Sequence, residues 1–288
     1  MVTAPVDRYH KRMKKVTPPD RLIKPLLQLV TAAAQSILEI YSRNSFDIHT
    51  KNDRSPLTAA DMASHHILTR GLAELHPGLP ILSEENTRET PPAKRHSWNK
   101  YWLVDPLDGT KEFIKRNGEF TVNVALIEFG RPVLGIVNVP VDGCSYVGLL
   151  GHGAYRYQRD ETRRSLRVAG PVTQRPVRVV ASRSHTGGEL ENFARALGPH
   201  EFHYIGSSLK FCLVAEAGAD VYPRLKPTSE WDTAAGQAVL EAAGGSVTDL
   251  SGEPLRYNTR DTLINPSFIA SGDLARDYAR IARQSSPR

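Results

Sequence analysis

The sequence predicts an α+β protein whose helices and sheets are stacked in layers. In the first half, segments with helical periodicity precede long β-branched runs joined by short turns, a pattern typical of an antiparallel sheet. In the second half, strand-like and helix-like segments alternate. The chain has 288 residues, of which 40% are apolar, and this is enough to bury a full core. Elements of these two kinds bury their apolar faces against one another, which predicts layers.

Two helices are expected near the start of the chain. Apolar residues recur at helical spacing over 26–41. Residues 42–57 are polar and include Pro56, which predicts a loop or a short hairpin. A second helix is expected over 58–75, because Pro77-Gly78 would end it.

Strands dominate the next part of the chain. Those expected lie at 80–83, 101–105, 120–129, 132–139, 146–150 and 154–158. Gly130-Arg131 and Gly151-His152-Gly153 are expected as hairpin turns, and no helix follows the second, so it is not a nucleotide-binding fingerprint. Residues 86–98 are polar and predict a mobile loop, whereas 159–176 are charged and polar without an assigned element.

The second half predicts strands that alternate with helices. The strands are expected at 177–181, 202–205, 221–225, 247–250 and 268–270, and the helices at 188–197, 208–217 and 233–243.

The net charge of +6 belongs to the two ends of the chain. Residues 1–25 carry +5 and residues 273–288 carry +2, which leaves about −1 for the part between them. We therefore expect a basic, disordered extension over 1–25, a single domain over 26–272 and a basic tail over 273–288. Its lobes are expected at about 26–158 and 177–272. No basic face interleaved with aromatics supports binding to a nucleic-acid polymer.

Composition also bears on location and redox state. No apolar run approaches the roughly 20 residues of a membrane helix, and no signal-peptide pattern is present. Cys144 and Cys212 are expected as small buried residues in a reducing compartment. These features predict a cytoplasmic protein, and the basic segment 8–15 predicts at most weak peripheral contact with an anionic membrane on the cytoplasmic side. The oligomeric state stays open.

The sharpest chemical signal is the acidic turn Asp105-Pro106-Leu107-Asp108-Gly109-Thr110, at the end of an apolar strand. The two carboxylates are three residues apart across a turn sharpened by proline, so both can point at one place, with the Leu107 carbonyl between them. Gly109 permits close approach of the backbone, and Thr110 opens the next segment. Carboxylates without cysteine or paired histidine suit a hard cation such as Mg²⁺. Taken alone, the turn could also be an ordinary Asp-Pro turn with a helix cap.

Three further acidic residues fit the same kind of site. Glu84 ends a strand, although two adjacent glutamates at 84–85 are also typical of a solvated surface. Asp61 begins a helix, where it either interacts with the helix dipole or acts as a base that orients water. Asp232 precedes another helix, and its alternative role is that of a plain N-cap.

Two long motifs resemble those of a known family. Residues 103–113 (LVDPLDGTKEF) and 231–236 (WDTAAG) resemble the two signatures of the lithium-sensitive, Mg²⁺-dependent phosphatases of the inositol monophosphatase superfamily. Within it, residues 113–123 and 206–216 resemble the bacterial CysQ-type 3′(2′),5′-bisphosphate nucleotidases. The resemblance covers about 26–270 and implies a layered α-β-α-β-α sandwich.

The resemblance implies a two-metal hydrolysis site. Glu84, Asp105 and the Leu107 carbonyl would hold one Mg²⁺ ion. Asp105, Asp108 and Asp232 would hold the second.

It also implies how the substrate is handled. Asp61 and Thr110 would activate the attacking water, with Gly109 and Thr110 also in contact with the substrate. The nucleotide end would lie on the second half of the chain. The residues implied there are His185, Ser207, Lys210 and Arg224.

The expected activity is hydrolysis of adenosine 3′,5′-bisphosphate (PAP) to AMP and phosphate, extending to the 2′,5′ isomer and to the sulfated precursor PAPS, in support of sulfate assimilation. One alternative is a phosphatase of the same superfamily that prefers inositol monophosphate or a sugar phosphate. An alternative of another class is a non-catalytic bisphosphate sensor, whose mark would be the loss of a metal ligand or of the water-activating pair.

Overall fold

The computed structural model describes residues 19–43, 48–50, 56–183 and 188–285. Helices of varied length lie along these segments. They are α1 (Pro19–Tyr41), α2 (Ala59–Leu75), α3 (Pro92–Arg95), α4 (Thr110–Ile114), α5 (Gly188–Leu197), α6 (Leu209–Ala215), α7 (Ala234–Ala242) and α8 (Tyr278–Ser285). A 3₁₀-helix spans Glu84–Glu89.

The strands form a hairpin and two larger sheets. They are β1 (Ile48–Thr50), β2 (Pro56–Thr58), β3 (Ile81–Ser83), β4 (Lys100–Asp108), β5 (Thr121–Glu128), β6 (Arg131–Val139), β7 (Cys144–Leu149), β8 (Gly153–Tyr157), β9 (Arg163–Leu166), β10 (Val177–Ala181), β11 (His200–Tyr204), β12 (Val221–Arg224), β13 (Ser246–Asp249) and β14 (Phe268–Ser271). β1 and β2 pair as an antiparallel hairpin. The seven-stranded sheet runs β3-β4-β5-β6-β7-β8-β9, and the five-stranded sheet runs β11-β10-β12-β14-β13.

The layers stack in the order α-β-α-β-α, which confirms the expected fold. Helices α1 and α2 pack on one face of the seven-stranded sheet, where Leu26 and Leu68 join the same apolar cluster as Val124. Helices α6 and α7 fill the space between the two sheets. Helices α5 and α8 cover the outer face of the five-stranded sheet.

Strand β5 illustrates why the central strands are continuous apolar runs. Val122, Val124 and Leu126 face the α1–α2 layer, whereas Ala125 and Ile127 face the layer between the sheets. Both faces are covered, so both sets of alternating side chains are apolar.

Two structured segments fall where the sequence predicts basic ends. Helix α1 begins at Pro19, inside the predicted extension, and its residue Ile23 is buried; residues 1–18 lie outside the described part. Helix α8 lies inside the predicted tail and buries Tyr278, Ala279 and Ala282. The sequence did not predict these helical segments, because their few apolar residues lie among charged ones. The single-domain division stays a prediction.

The structure also corrects the expected loop at 86–98. This segment contains most of the 3₁₀-helix and all of α3. Arg95 is only 1% exposed, and its guanidinium donates to Asn258 Oδ1 (2.6 Å) and to the carbonyls of Arg260 (3.0 Å) and Asp261. Buried hydrogen bonds of the two Arg95 Nη atoms fix a polar segment that composition alone presents as a loop. Strand β9, at the edge of the larger sheet, was likewise not predicted.

Among the described helices, none is long and apolar enough to cross a membrane.

Candidate active site

The acidic turn begins as an irregularity in β4. Asp105 pairs with Asn123 and Asp108 pairs with Thr121, so β4 takes three steps where β5 takes two. The extra residue is a β-bulge, which returns Asp108 to the side of the sheet that Asp105 faces. Ser64 of α2 donates to the Pro106 carbonyl (2.7 Å) and holds the turn from behind.

Three carboxylates converge at this bulge. One oxygen from each of Asp105, Asp108 and Asp232 lies within 4.8 Å of the others. Burial, and next the Asp108 carboxylate, raise the pKa of Asp232. A donor set of closely spaced carboxylate oxygens fits a hard cation, whose charge would offset their mutual repulsion. The cluster can therefore hold a metal ion.

A small hydrogen-bond network fixes two of these acids. Ser208 Oγ lies 2.7 Å from both Asp108 Oδ2 and the Asp232 carbonyl oxygen, and its hydroxyl proton can serve either. Asn123 Nδ2 donates to the same hydroxyl (2.8 Å). Ser208 belongs to the second half of the chain, so this network joins the two halves of the chain at the acidic cluster.

Asp232 does not act as the N-cap of the helix that follows it. Helix α7 begins at Ala234 with Thr233 as its N-cap. Asp232 Oδ2 instead accepts from Ser229 N (3.0 Å) and from the Thr228 hydroxyl. These bonds hold its carboxylate at the cluster. Of the two roles that the sequence left open, metal ligand and N-cap, the N-cap role therefore belongs to Thr233 instead.

Asp61 and Thr110 are brought together as the sequence suggests. Asp61 is 1% exposed, and its Oδ2 accepts from the backbone N (2.8 Å) and hydroxyl (2.6 Å) of Thr58 in a capping box. Its other oxygen, Oδ1, lies 3.3 Å from Thr110 Oγ1. The Thr110 hydroxyl is also 3.4 Å from the Leu107 carbonyl, so the main-chain oxygen proposed as a ligand faces this pair.

Glu84 is placed beside Asp105 by strand pairing. β3 and β4 are parallel, and the last pair is Ser83 with Val104, so Glu84 leaves β3 at the level where Asp105 continues β4. Glu84 also begins the 3₁₀-helix, in which Asn86 Oδ1 accepts from Ser83 N (2.8 Å). Glu85 follows in the same turn.

A cavity of about 170 Å³ opens beside the acidic cluster. Asp108 and Asp232 line one part of it, and Ser207, Lys210 and Arg224 line another. Gly109, with φ +93°, also lines it, in a left-handed conformation that favours glycine. The cavity thus places acidic and basic side chains around one small volume.

Lys111, Lys210 and Arg224 are the cationic residues that line this cavity, and the last two are held differently. Lys210 is 5% exposed, donates to the Ser207 carbonyl and lies 5.4 Å from the centre of the Tyr222 ring. Burial lowers the pKa of Lys210 to about 8, although Asp108 opposes this shift. Arg224 is tethered by bonds to the carbonyls of Lys226 (3.0 Å) and Pro227 (2.8 Å).

A second cavity of about 340 Å³ adjoins the first through Ser182, Tyr222 and Arg224, which line both. Glu189 and Leu190 line its far side. His185, proposed from the sequence as a nucleotide contact, lies outside the described residues.

Sequence reasoning missed the residues that only orient others. Asn123 and Ser208 lie inside the motifs at 113–123 and 206–216, yet no role was assigned to them. Ser64 lies one helical turn after Asp61, and that spacing, which puts both on one helix face, was the available signal.

Comparison with known proteins agrees with the fold. Residues 19–286 match the model of the inositol monophosphatase family, and the chain belongs to this family. It is 47% identical over 253 residues to the 3′(2′),5′-bisphosphate nucleotidase CysQ of Escherichia coli strain K12, covering 87% of this chain and 99% of that protein. The CysQ nucleotidase of Salmonella typhimurium is 48% identical over 250 residues, covering 86% of this chain and 98% of that protein.

A solved relative has the same fold. The crystal structure of CysQ from Bacteroides thetaiotaomicron superposes with a TM-score of 0.76 at 41% identity, covering 87% of this chain and 98% of that one.

Proposed function

We propose that this protein is a 3′(2′),5′-bisphosphate nucleotidase that uses Mg²⁺ to hydrolyse adenosine 3′,5′-bisphosphate to AMP and phosphate. The similarity to CysQ nucleotidases over nearly their full length supports this activity. The observation that carries the proposal is the 170 Å³ cavity, because carboxylates and cations line it together. A substrate with two phosphates needs a metal site for one and fixed cations for the other.

The reacting phosphate is assigned to the acidic cluster. Asp105, Asp108 and Asp232 would hold one Mg²⁺ ion, and Glu84, Asp105 and the Leu107 carbonyl would hold the other. When bound there, Mg²⁺ would lower the pKa of a coordinated water and offset the charge on the departing oxygen. Ser208 keeps Asp108 and the Asp232 backbone in place while the substrate binds.

Asp61 and Thr110 are assigned to the attacking water. The Thr110 hydroxyl lies 3.3 Å from Asp61 Oδ1, so Thr110 can give its proton to that oxygen while its own oxygen accepts from water. The bonds from Thr58 leave Oδ1 of Asp61 directed at Thr110. No covalent intermediate is required.

The second phosphate is assigned to Ser207, Lys210 and Arg224. Charge-assisted hydrogen bonds from lysine and arginine favour a phosphate over a neutral hydroxyl. A pocket with these cations is suited to a bisphosphate rather than to inositol monophosphate, which has no second anionic group.

Phosphate release from three substrates tests the proposal. Adenosine 3′,5′-bisphosphate, inositol 1-phosphate and fructose 1,6-bisphosphate are compared in Mg²⁺, with and without Li⁺. Selective, lithium-inhibited turnover of the nucleotide is expected. Preference for inositol or sugar phosphate would retain the metal site but reject the pocket assignment, and no turnover of any substrate would favour a binding protein.

Activity on the 2′,5′ isomer and on PAPS, cytoplasmic location and membrane contact through 8–15 stay predictions.

A further inference from the structure

Glu119 belongs to a motif segment, Asn117-Gly118-Glu119-Phe120, that the reaction does not use. It lies between α4 and β5, and its backbone N donates to Asn117 Oδ1 (3.0 Å). Its side chain is 17% exposed. It is not one of the acids of the metal cluster.

The first partner of the Glu119 carboxylate is Arg183. The guanidinium approaches both carboxylate oxygens, with Nη2 at 2.7 Å from Oε1 and Nε at 2.9 Å from Oε2. Arg183 follows Ser182, which lines both cavities. The ion pair therefore ties the end of β10 to the first lobe.

The second partner is the turn that precedes α6. Gly206 N donates to Glu119 Oε2 (2.8 Å). The next residue, Ser207, lines the smaller cavity and has φ +48°, a left-handed conformation that is strained for serine. Such a turn needs support from its surroundings, and Glu119 supplies one of these contacts.

Backbone packing adds a third connection. A Cβ added at Gly206 would lie 2.9 Å from the Glu119 carbonyl oxygen, and one added at Gly109 would lie 3.0 Å from the same atom. Glu119 therefore contacts the acidic turn, the turn that carries Ser207 and the segment that carries Ser182. Each of these three segments supplies part of the wall of the small cavity.

We propose that Glu119 is a positioning residue that fixes the pocket for the non-reacting phosphate and so determines selectivity for a bisphosphate. This inference rests on the proposed function. Glu119 acts on the placement of Ser207 and the end of β10, because its carboxylate binds Arg183 and the Gly206 amide rather than the acidic cluster. It should thus govern binding of the second phosphate more than the chemical step.

Glu119→Gln tests this with a matched substrate pair. Adenosine 3′,5′-bisphosphate and adenosine 3′-monophosphate share a reacting end but differ in the second phosphate. We expect KM for the bisphosphate to rise about tenfold, the usual scale for losing hydrogen bonds to a charged group, with kcat little changed. KM for the monophosphate should change by about twofold or less, because this substrate has no second phosphate to bind in the pocket that Glu119 positions.

Glu128→Gln is the control. Glu128 has a similarly exposed side chain (19%) and an ion pair to Lys100 at 2.6 Å, and it lies at the far end of β5, the strand that follows Glu119. It should leave both KM values unchanged. Arg183→Ala is the second variant, for use if Glu119→Gln does not fold. It changes a 54% exposed side chain and removes one of the two side-chain contacts of Glu119, so KM for the bisphosphate should rise by less than in Glu119→Gln.

Amide exchange at Gly206 supplies a readout independent of turnover. Glu119→Gln should speed exchange of this amide, whereas Glu128→Gln should not, because Glu119 accepts its hydrogen bond. Equal KM changes for the two substrates, or unchanged Gly206 exchange, would overturn the role of Glu119. A wild-type protein that does not prefer the bisphosphate would instead contradict the proposed function, and Gly206 exchange would still decide the positioning role.

Discussion

Asp108 and Asp232 come close enough to repel each other when no cation lies between them. Their oxygens lie within 4.8 Å of each other and of Asp105, and the neighbouring charge helps to raise the pKa of Asp232. The residues that orient them, Ser208 and Asn123, are neutral and do not offset that repulsion. The site is therefore arranged for ion binding at some expense in stability without the ion.

Asp108→Asn should separate activity from stability. Turnover should fall more than about 100-fold, because loss of a ligand exceeds the 10–100-fold typical of groups that only orient ligands. In EDTA the melting temperature should stay equal or rise, since a repulsive charge is removed. Phosphate release measures the turnover, and thermal unfolding measures the melting temperature. Asp142→Asn, in an exposed turn, is the control. A fully active variant would contradict the metal assignment.

Lys210→Met should change the pH dependence of stability. Burial lowers the pKa of Lys210 to about 8 in the folded protein, whereas an unfolded lysine titrates near 10.4. Between these values the unfolded state holds more protons, so the free energy of unfolding rises with pH by up to about 1.4 kcal/mol per unit. The methionine variant should lack this rise.

Urea unfolding in EDTA at pH 7.5 and 9.5 checks the prediction for Lys210. Lys94→Met is the control, because Lys94 is exposed. The same pH dependence in wild type and Lys210→Met would refute it.

At the scale of elements, one ion-pair cluster joins β10 to the start of β12. Asp220 is fully buried and accepts from Arg175 (2.6 and 2.7 Å) and from the backbone N and side chain of Arg178 (both 2.8 Å). Burial alone would raise the pKa of Asp220, but the hydrogen bonds from Arg175 and Arg178 lower it overall.

Asp220→Asn should lower the free energy of unfolding at pH 7 by about 2–3 kcal/mol, somewhat under the usual figure for a broken buried pair because Arg175 is 40% exposed. The folded-state pKa is depressed, so this stability is present above the unfolded pKa of about 3.9 and is lost as pH falls below it. The difference from wild type should shrink between pH 4 and pH 3 in urea unfolding. A constant difference would show that packing, not charge, dominates.

Most elements were predictable because their signals are local. The alternation of strands and helices after residue 177 follows from periodicity, and α5 spans Gly188–Leu197 as expected. Helix α8 was not predictable, because its few buried residues lie between arginines in a short segment. The segment around Arg95 was missed because its order comes from partners at Asn258–Asp261, far away in sequence.

At the scale of the whole molecule, glycines set the distance between layers. A Cβ added at Gly135 in β6 would lie 2.3 Å from the Ala235 carbonyl oxygen of α7, and one at Gly148 in β7 would lie 2.4 Å from that of Ala238. Helix α7 therefore lies directly against the larger sheet. Since α7 follows Asp232, this close packing also sets the depth at which Asp232 enters the site.

Gly135→Ala should push α7 away from the sheet. We expect a loss of about 1–3 kcal/mol in the free energy of unfolding, the usual range for overpacking, together with reduced turnover as Asp232 shifts. Gly188→Ala is the control, because nothing lies within 4 Å of its added Cβ. Denaturant unfolding and phosphate release check the pair; unchanged stability in Gly135→Ala would mean that the layers can separate freely.

By itself, the sequence determined the layered fold and the identity of the acidic and basic motifs, since periodicity and turn chemistry act over short distances. It could not show that Asp232 meets Asp108, because that approach depends on α6 and α7 packing between two sheets. Nor could it assign Ser208, Arg95 or Glu119, whose partners all lie in distant segments. Only tertiary structure brings such groups within hydrogen-bond distance, and burial then gives those bonds their strength.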